Sequence, residues 1–243
     1  MGFTAPIPDF KTLVNHAATP YRQSGKFAWH FAKGKLGGDP AFAGMLRLGL
    51  IPDGARVLDL GSGQGLLAAC LWAAEQQQRA GKWFDGWACA PTSVRVHGIE
   101  LMQADVDRAR VALANIASHT SFECANICEA AFPPSDVVVI LDVLHYINHA
   151  RQGDVLKRVF AALIPQGKLL LRVGDAAGGL PFHISNWVDH AVTFVRGGRL
   201  ARLYCRNMAD WKFALEKIGF VVDPMSMHQG TPFANILLVC VKP

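Results

Sequence analysis

Residues 57–65 of the chain, VLDLGSGQG, decide the fold. The apolar half predicts a buried strand, and the glycines predict a tight turn that lets a ligand approach the main chain. A dinucleotide loop would need a third glycine where Leu66 stands, and a P-loop would need Gly-Lys-Ser or Gly-Lys-Thr. Because Asp59 would repel a pyrophosphate and attract an ammonium group, the loop predicts a ligand with a positively charged amino group.

Strands and helices alternate along the chain from residue 56 onward. Apolar runs predict strands over residues 56–60, 94–101, 121–126, 136–142, 168–173, 220–223 and 234–241. Helical patterns lie between them over residues 64–78, 103–117, 153–164 and 208–218. Such alternation favours a parallel sheet with helices on both faces, while the short connection between the last two strands favours an antiparallel pair. The predicted class is α/β: a Rossmann-like, doubly wound, seven-stranded sheet, mostly parallel, with the last strand antiparallel.

Two segments fall outside this alternation. Residues 1–50 contain helical patterns over 24–33 and 40–48 and predict an N-terminal helical cap. Residues 51–243 form the predicted ligand-binding domain, in which residues 175–206 interrupt the repeat and predict a lid insertion, with structural decoration as the alternative. A further insert at 79–93, rich in aromatic residues, suggests no function.

Composition and charge limit the possible partners. The 243 residues carry a formal net charge of +5, and no apolar stretch approaches the roughly 18 residues of a membrane span. The N-terminus has no signal-peptide pattern, so a cytoplasmic, bacterial setting without disulfides is expected. The six cysteines form no zinc-site spacing, so no metal is expected. Arginines 196, 199, 202 and 206 could meet nucleic acid or an acidic carrier protein, or simply form a solvated surface.

Several segments resemble the motifs of class I S-adenosylmethionine-dependent methyltransferases. VLDLGSGQG resembles their first motif, HGIEL the acidic end of their second strand, and ILDVLHYI (residues 140–147) their fourth motif. LIPQGKLLL and NMADWKFALEKIGF resemble the segments before the fifth and sixth strands. The likeness covers about residues 52–243 and implies S-adenosyl-L-methionine as cofactor, with S-adenosyl-L-homocysteine as product. Residues 21–42 also resemble the cap of a bacterial branch linked to aryl polyene pigment clusters.

The resemblance implies a cofactor site along the carboxyl ends of the strands. Glu100 would accept hydrogen bonds from the two ribose hydroxyls, and Asn126 and Ile127 would hold the adenine. Tyr21 and Arg22 would close over the cofactor carboxylate, with a surface role as the alternative for Arg22. The glycine loop would lie against the cofactor. The implied cofactor-binding residues are Asp59, Gly61, Ser62, Gly63, Gly65, Glu100, Leu101, Asn126, Ile127, Leu141, Asp142, Tyr21 and Arg22.

His145 follows the fourth strand where the transferred methyl group should point. An imidazole there could take a proton from a phenol, acid or enol, or it could be a packing or capping histidine. Methyl transfer from a sulfonium also proceeds by alignment alone. Candidates for the substrate pocket are Tyr146, His183, Trp187 and His228.

The expected function is methyl transfer to a small or carrier-bound, aromatic or polyketide-like biosynthetic intermediate. No Asn-Pro-Pro-Tyr or Asp-Pro-Pro-Tyr sequence follows the fourth strand, which disfavours amino-group methylation of adenine or glutamine. An RNA or protein methyltransferase and a non-catalytic cofactor-binding subunit are the alternatives. Nucleic acid and membrane are not expected as partners, and the oligomeric state stays open.

Overall fold

A seven-stranded sheet forms the centre of the molecule, in the order β3-β2-β1-β4-β5-β7-β6. The structure, a computed structural model, describes residues 10–174, 204–227 and 235–243. Strands β1 to β5 run parallel to their neighbours, while β7 lies antiparallel between β5 and β6. The predicted fold class, including its antiparallel last strand, is therefore confirmed. The strand order reverses between β1 and β4. In doubly wound sheets ligands bind beyond the carboxyl ends of the strands at this point, which is called the crevice below.

The strands fall close to their predicted positions. They are β1 Arg56–Leu60, β2 Arg95–Glu100, β3 Thr120–Cys124, β4 Ser135–Leu141, β5 Leu163–Gly174, β6 Val221–Ser226 and β7 Asn235–Val241. The helices of the described chain are α1 Phe10–Ala18, α2 Lys26–Gly38, α3 Pro40–Arg47, α4 Leu66–Arg79, α5 Gln103–Ala112, α6 His149–Ala162 and α7 Met208–Ile218.

Several helices differ from their predictions. Helix α2 covers Lys26–Gly38 instead of 24–33, and helix α5 ends at Ala112 instead of at residue 117. Helix α6 begins at His149, where the Asn148 side chain caps it, and ends at Ala162, because the chain is already extended as β5 from Leu163. Helix α1 was not predicted. Its buried side chains, Leu13, Val14, Ala17 and Ala18, follow the helical spacing that would have revealed it.

Helices cover both faces of the sheet, and a separate apolar cluster lies on each face. Alternate strand residues such as Val57, Val137 and Leu170 face the first cluster with α1 to α5. Their neighbours Leu58 and Val138 face the second cluster with α6 and α7. The cap helices therefore share a core with α4.

The insert at residues 79–93 packs against the start of the cap. Phe84 and Trp87 lie 4.5 Å apart between ring centroids, and Phe10 of α1 lies 6.5 and 6.1 Å from them. The indole of Trp83 donates a hydrogen bond of 2.7 Å to the carbonyl of Ala88. This aromatic cluster gives the insert a packing role.

The predicted lid, residues 175–206, lies outside the described residues except for 204–206. None of the helices in the described ranges has the length and apolar character to span a bilayer. Within those same ranges, no three His, Cys, Asp or Glu side chains are grouped as metal ligands.

Candidate active site

The glycine loop is fastened to the end of β2 by its own backbone. The amides of Gly61 and Ser62 donate to the carbonyl of Ile99 at 2.8 and 3.2 Å. The amide of Gly65 donates to the carbonyl of Ser62 at 2.9 Å and closes the turn. The Ser62 side chain is buried against Gly98. The loop conformation therefore depends mainly on main-chain contacts.

The three glycines of the loop have positive φ angles but different surroundings. A Cβ on Gly61 (φ +78°) would overlap the side chain of Val143, and one on Gly65 (φ +75°) would press on Phe122. A Cβ on Gly63 (φ +52°) would meet nothing within 4 Å. Gly61 and Gly65 thus allow close packing, whereas Gly63 leaves open space for a ligand against the main chain.

Glu100 joins the loop to the end of β2. One carboxylate oxygen accepts from the amide of Gly63 and the other from the amide of Met102, each at 2.9 Å. Each oxygen has a further lone pair, so the group can still accept from a diol. The next side chain, Leu101, is 45% exposed, an apolar surface beside the carboxylate that suits an aromatic base. Gly63, Glu100 and Leu101 therefore fit an adenosine moiety.

Asp59 lies buried beneath the loop. Burial, and then the nearby charge of Glu100, raise the pKa of Asp59 to about 7. A cationic ligand beside it would stabilise the ionised form. The role of Asp59 toward an ammonium group stays a prediction.

The cap reaches the loop through Tyr21. Its fully buried hydroxyl donates to the carbonyl of Gln64 at 2.8 Å. Burial is the main cause that raises the pKa of this hydroxyl, and the charges of Asp59 and Cys70 raise it further. Arg22 is exposed, and its guanidinium lies over the ring of Trp29, 4.7 Å from the centroid. Tyr21 thus joins the cap to the loop, and the roles of Tyr21 and Arg22 toward the cofactor carboxylate stay predictions.

The segment after β3 is less suited to its predicted role. The side-chain oxygen of Asn126 accepts from the amide of Cys128 at 3.0 Å, so one of its acceptor positions is used. Ile127 is buried in the cluster beneath α6. The adenine role of these two residues stays a prediction.

A charged network holds the end of β4. Asp142 has a left-handed backbone (φ +57°), and its carboxylate binds the guanidinium of Arg172 on β5, one contact measuring 2.8 Å. Arg172 is buried and also binds Asp39, the N-cap of α3. Lys35 of α2 lies 3.0 Å from Asp39 and 3.5 Å from Asp142. Leu141, just before Asp142, packs partly against the first cluster.

The network was not predicted, although Arg172 inside the apolar run KLLLRV was a signal, since a buried charge requires a partner. Burial by itself raises the pKa of Asp39, but the charges of Arg172 and Lys35 outweigh it and hold that pKa at about 2. The network ties the cap to the sheet at the crevice.

His145 and Tyr146 lie in a short 3-10 turn, Leu144–Tyr146, directly after β4. Their rings are 4.1 Å apart between centroids, and both side chains are half-buried. The structure thus brings His145 and Tyr146 to the β4 side of the crevice. His183, Trp187 and His228 lie outside the described residues.

The chain matches the sequence profile of a family described as methyltransferase domain over residues 29–224. The chain belongs to this family. A search of curated proteins gave no match. The resemblance to class I methyltransferases is thereby confirmed, and the likeness to the aryl polyene branch stays a prediction.

Solved methyltransferases share the fold of this chain. The pyocyanin biosynthetic protein PhzM is 16% identical, with a TM-score of 0.62 over 93% of this chain and 61% of its own. An O-methyltransferase family 2 protein from Planctomyces limnophilus, in complex with apigenin, is 13% identical, with a TM-score of 0.59 over 93% and 61%. Magnesium protoporphyrin IX methyltransferase from Synechocystis, with bound SAH, is 17% identical, with a TM-score of 0.50 over 95% and 85%.

The first two structures are longer than this chain, which spans about 61% of their length. At these identities the similarity shows the fold.

Proposed function

We propose that the protein transfers a methyl group from S-adenosylmethionine to a small or carrier-bound biosynthetic molecule. The observation that carries this is the open space over Gly63 next to the carboxylate of Glu100, in a chain of the methyltransferase domain family. When bound, the cofactor supplies a methyl group on a positively charged sulfur. The residues that would hold it are Glu100, Leu101, Gly63, Asp59, Leu141 and Asp142.

The chain's own residues would bind, align and exclude water. Glu100 orients the ribose, and Asp59 favours the amino group once ionised. On the other side of the crevice, His145 is the candidate base that removes a proton from the acceptor as the methyl group arrives. Tyr146, beside it, would form part of the acceptor pocket, together with the predicted residues His183, Trp187 and His228. Because the leaving thioether is neutral, alignment supplies much of the rate.

A small-molecule acceptor is favoured over RNA or protein. Two of the structural relatives are a pyocyanin biosynthetic protein and an O-methyltransferase in complex with apigenin. Arg206 belongs to the arginine patch that suggested nucleic acid, but its guanidinium binds Gln152 and the carbonyl of His149 within the protein. Arginines 196, 199 and 202 lie outside the described residues. A cytoplasmic location and a carrier-bound substrate belong to the proposal.

Calorimetry and product analysis test the function. S-adenosylhomocysteine should bind with a stoichiometry near one, whereas NAD should not bind. Isotope-labelled S-adenosylmethionine, incubated with the protein and small-molecule extracts of its host, should give a labelled product that mass spectrometry identifies. Tight NAD binding without S-adenosylhomocysteine binding would refute the assignment, and cofactor binding without any product would favour a non-catalytic subunit.

A further inference from the structure

Gln152, on the first turns of α6, is fully buried, and its side chain contacts four polar groups. The two N–H groups of its amide nitrogen are shared among three carbonyls, those of Leu144 and Ile147 at 3.0 Å each and that of Tyr204 at 2.8 Å. Its oxygen accepts from Nε of Arg206 at 2.8 Å. A buried amide with both ends occupied fixes the groups around it, because each lost bond would leave a buried polar atom unpaired.

These bonds surround His145. Two of the carbonyls that Gln152 contacts are those of Leu144, just before His145, and of Ile147, two residues after it. The carbonyl of His145 itself accepts from the amide of Tyr204 at 2.8 Å. The backbone on both sides of the candidate base is therefore held by contacts that meet at Gln152.

Arg206 sets the orientation of the amide. A guanidinium can only donate, so it selects the oxygen of Gln152 and turns the amide nitrogen toward the three carbonyls. Arg206 is itself held: it donates to the carbonyl of His149 at 3.2 Å and lies 5.4 Å from the ring centroid of the buried Trp211. The arrangement joins the turn after β4, helix α6 and the chain at residues 204–206.

We propose that Gln152, oriented by Arg206, is the positioning residue that fixes His145 and Tyr146 on the acceptor side of the crevice. It acts at the far end of a turn whose near end, Asp142, is held by Arg172. It does not touch the cofactor residues Gly63 and Glu100. The catalytic meaning of this placement rests on the proposed function.

The test compares Gln152→Met with Gln77→Met. Methionine keeps the length and apolar packing of glutamine but loses its hydrogen bonds. Gln77, on α4, is the matched control because it is also buried and its side-chain oxygen has no hydrogen-bond partner in the described chain. In Gln152→Met, the amide of Tyr204 should exchange with solvent about tenfold faster, the cost of one weakened hydrogen bond. The NMR signals of the His145 imidazole should shift. In Gln77→Met both should stay as in the wild type.

S-adenosylhomocysteine affinity, measured by calorimetry, should stay within about twofold in both variants, because the β1 loop is held separately. Unchanged Tyr204 exchange and His145 signals in Gln152→Met would overturn the proposal. If that variant does not fold, Arg206→Met, which alters a half-buried side chain, should change the same two signals by a smaller amount, and unchanged signals would again overturn it. Failure of the wild type to bind S-adenosylhomocysteine would refute the proposed function instead, without affecting the exchange result.

Discussion

The loop after β1 and the turn after β4 border the same crevice, but different contacts hold them. The loop is fixed by amides that bind its neighbouring strand at Ile99 and Glu100. The turn is fixed by side chains of other elements, with Arg172 of β5 at one end and Gln152 of the adjoining helix α6 at the other. A loop held mainly by its own amides tolerates changes of its own side chains, apart from the contacts that Glu100 and Tyr21 make to it. A turn held by buried charged and amide side chains depends on each of them, because removing one leaves the others unpaired.

The largest expected effect concerns the turn side alone. His145→Ala should lower turnover about 10²–10⁴-fold, the usual contribution of a positioned base, and remove the acidic limb of the pH–rate profile. S-adenosylhomocysteine affinity should be nearly unchanged. Turnover with the acceptor identified by labelling measures this, and His119→Ala, an exposed histidine before β3, is the control. If His145→Ala keeps more than half of the wild-type turnover, His145 is not the base.

Arg172→Met tests how far the turn depends on its buried network. Loss of the guanidinium leaves the buried Asp39 carboxylate without its main partner, so the free energy of unfolding should fall by about 3–5 kcal/mol. Urea denaturation measures this. The control is Arg56→Met, which breaks the exposed pair with Asp136 and should leave the midpoint nearly unchanged. Equal, small shifts in both variants would show that the network contributes no more than a surface pair.

Within the loop, a comparison of Gly63→Val with Gly61→Val should distinguish an effect on ligand binding from an effect on the packing of the fold. The valine side chain would enter the open space, so S-adenosylhomocysteine affinity should fall at least about 100-fold. The positive φ should cost only about 1–2 kcal/mol of stability. Gly61→Val should additionally destabilise the fold, since its side chain would overlap Val143. Calorimetry and thermal melting distinguish the two, and unchanged affinity in both would refute the loop assignment.

Glu100→Ala should weaken S-adenosylhomocysteine binding by about 1–3 kcal/mol, the range for charge-assisted hydrogen bonds. Glu100→Gln should also lose affinity, because its amide nitrogen would face one of the two backbone amides that now donate to the carboxylate. Calorimetry on the two variants measures both losses. Wild-type affinity in both variants would contradict a ribose-binding role.

The smallest effect is a pH dependence from Asp59. The folded state keeps a proton on Asp59 up to a pKa of about 7, whereas the unfolded chain releases it near the ordinary value of 3.8. Stability from this group is therefore full at low pH and falls as pH rises from about 4 to about 7. Since an ammonium ligand prefers the ionised form, S-adenosylhomocysteine should bind about tenfold more weakly at pH 6 than at pH 8. Asp59→Asn should flatten both curves, and identical curves for wild type and variant would exclude Asp59.

The two regions also differ in how well the sequence predicts them. The loop comes from one contiguous motif, so its glycines, Asp59 and the acidic end of β2 could be placed from local pattern alone. Arg172 and Asp39 are 133 residues apart, and Gln152 and Arg206 are 54 residues apart, so no local pattern reveals these contacts. The sheet could also be predicted from the sequence, because the alternating apolar runs, like the glycine loop, are local signals.

Some errors had local causes. Helix α1 was missed although its apolar spacing was present, and helix α6 begins four residues earlier than predicted because the Asn148 side chain caps it. The division into residues 1–50 and 51–243 stays a prediction. Tyr21, Lys35 and Asp39 of the cap all bind partners beyond residue 51.

The partnership of Asp39 with Arg172 bears on how the chain folds during synthesis. The cap is made first, yet the guanidinium that neutralises its buried carboxylate is translated 133 residues later. Until β5 has left the ribosome, the apolar faces of α1 to α3 have no complete sheet to cover. We therefore expect a nascent chain ending before residue 172 to expose its cap to proteases, and one ending after β7 to protect it.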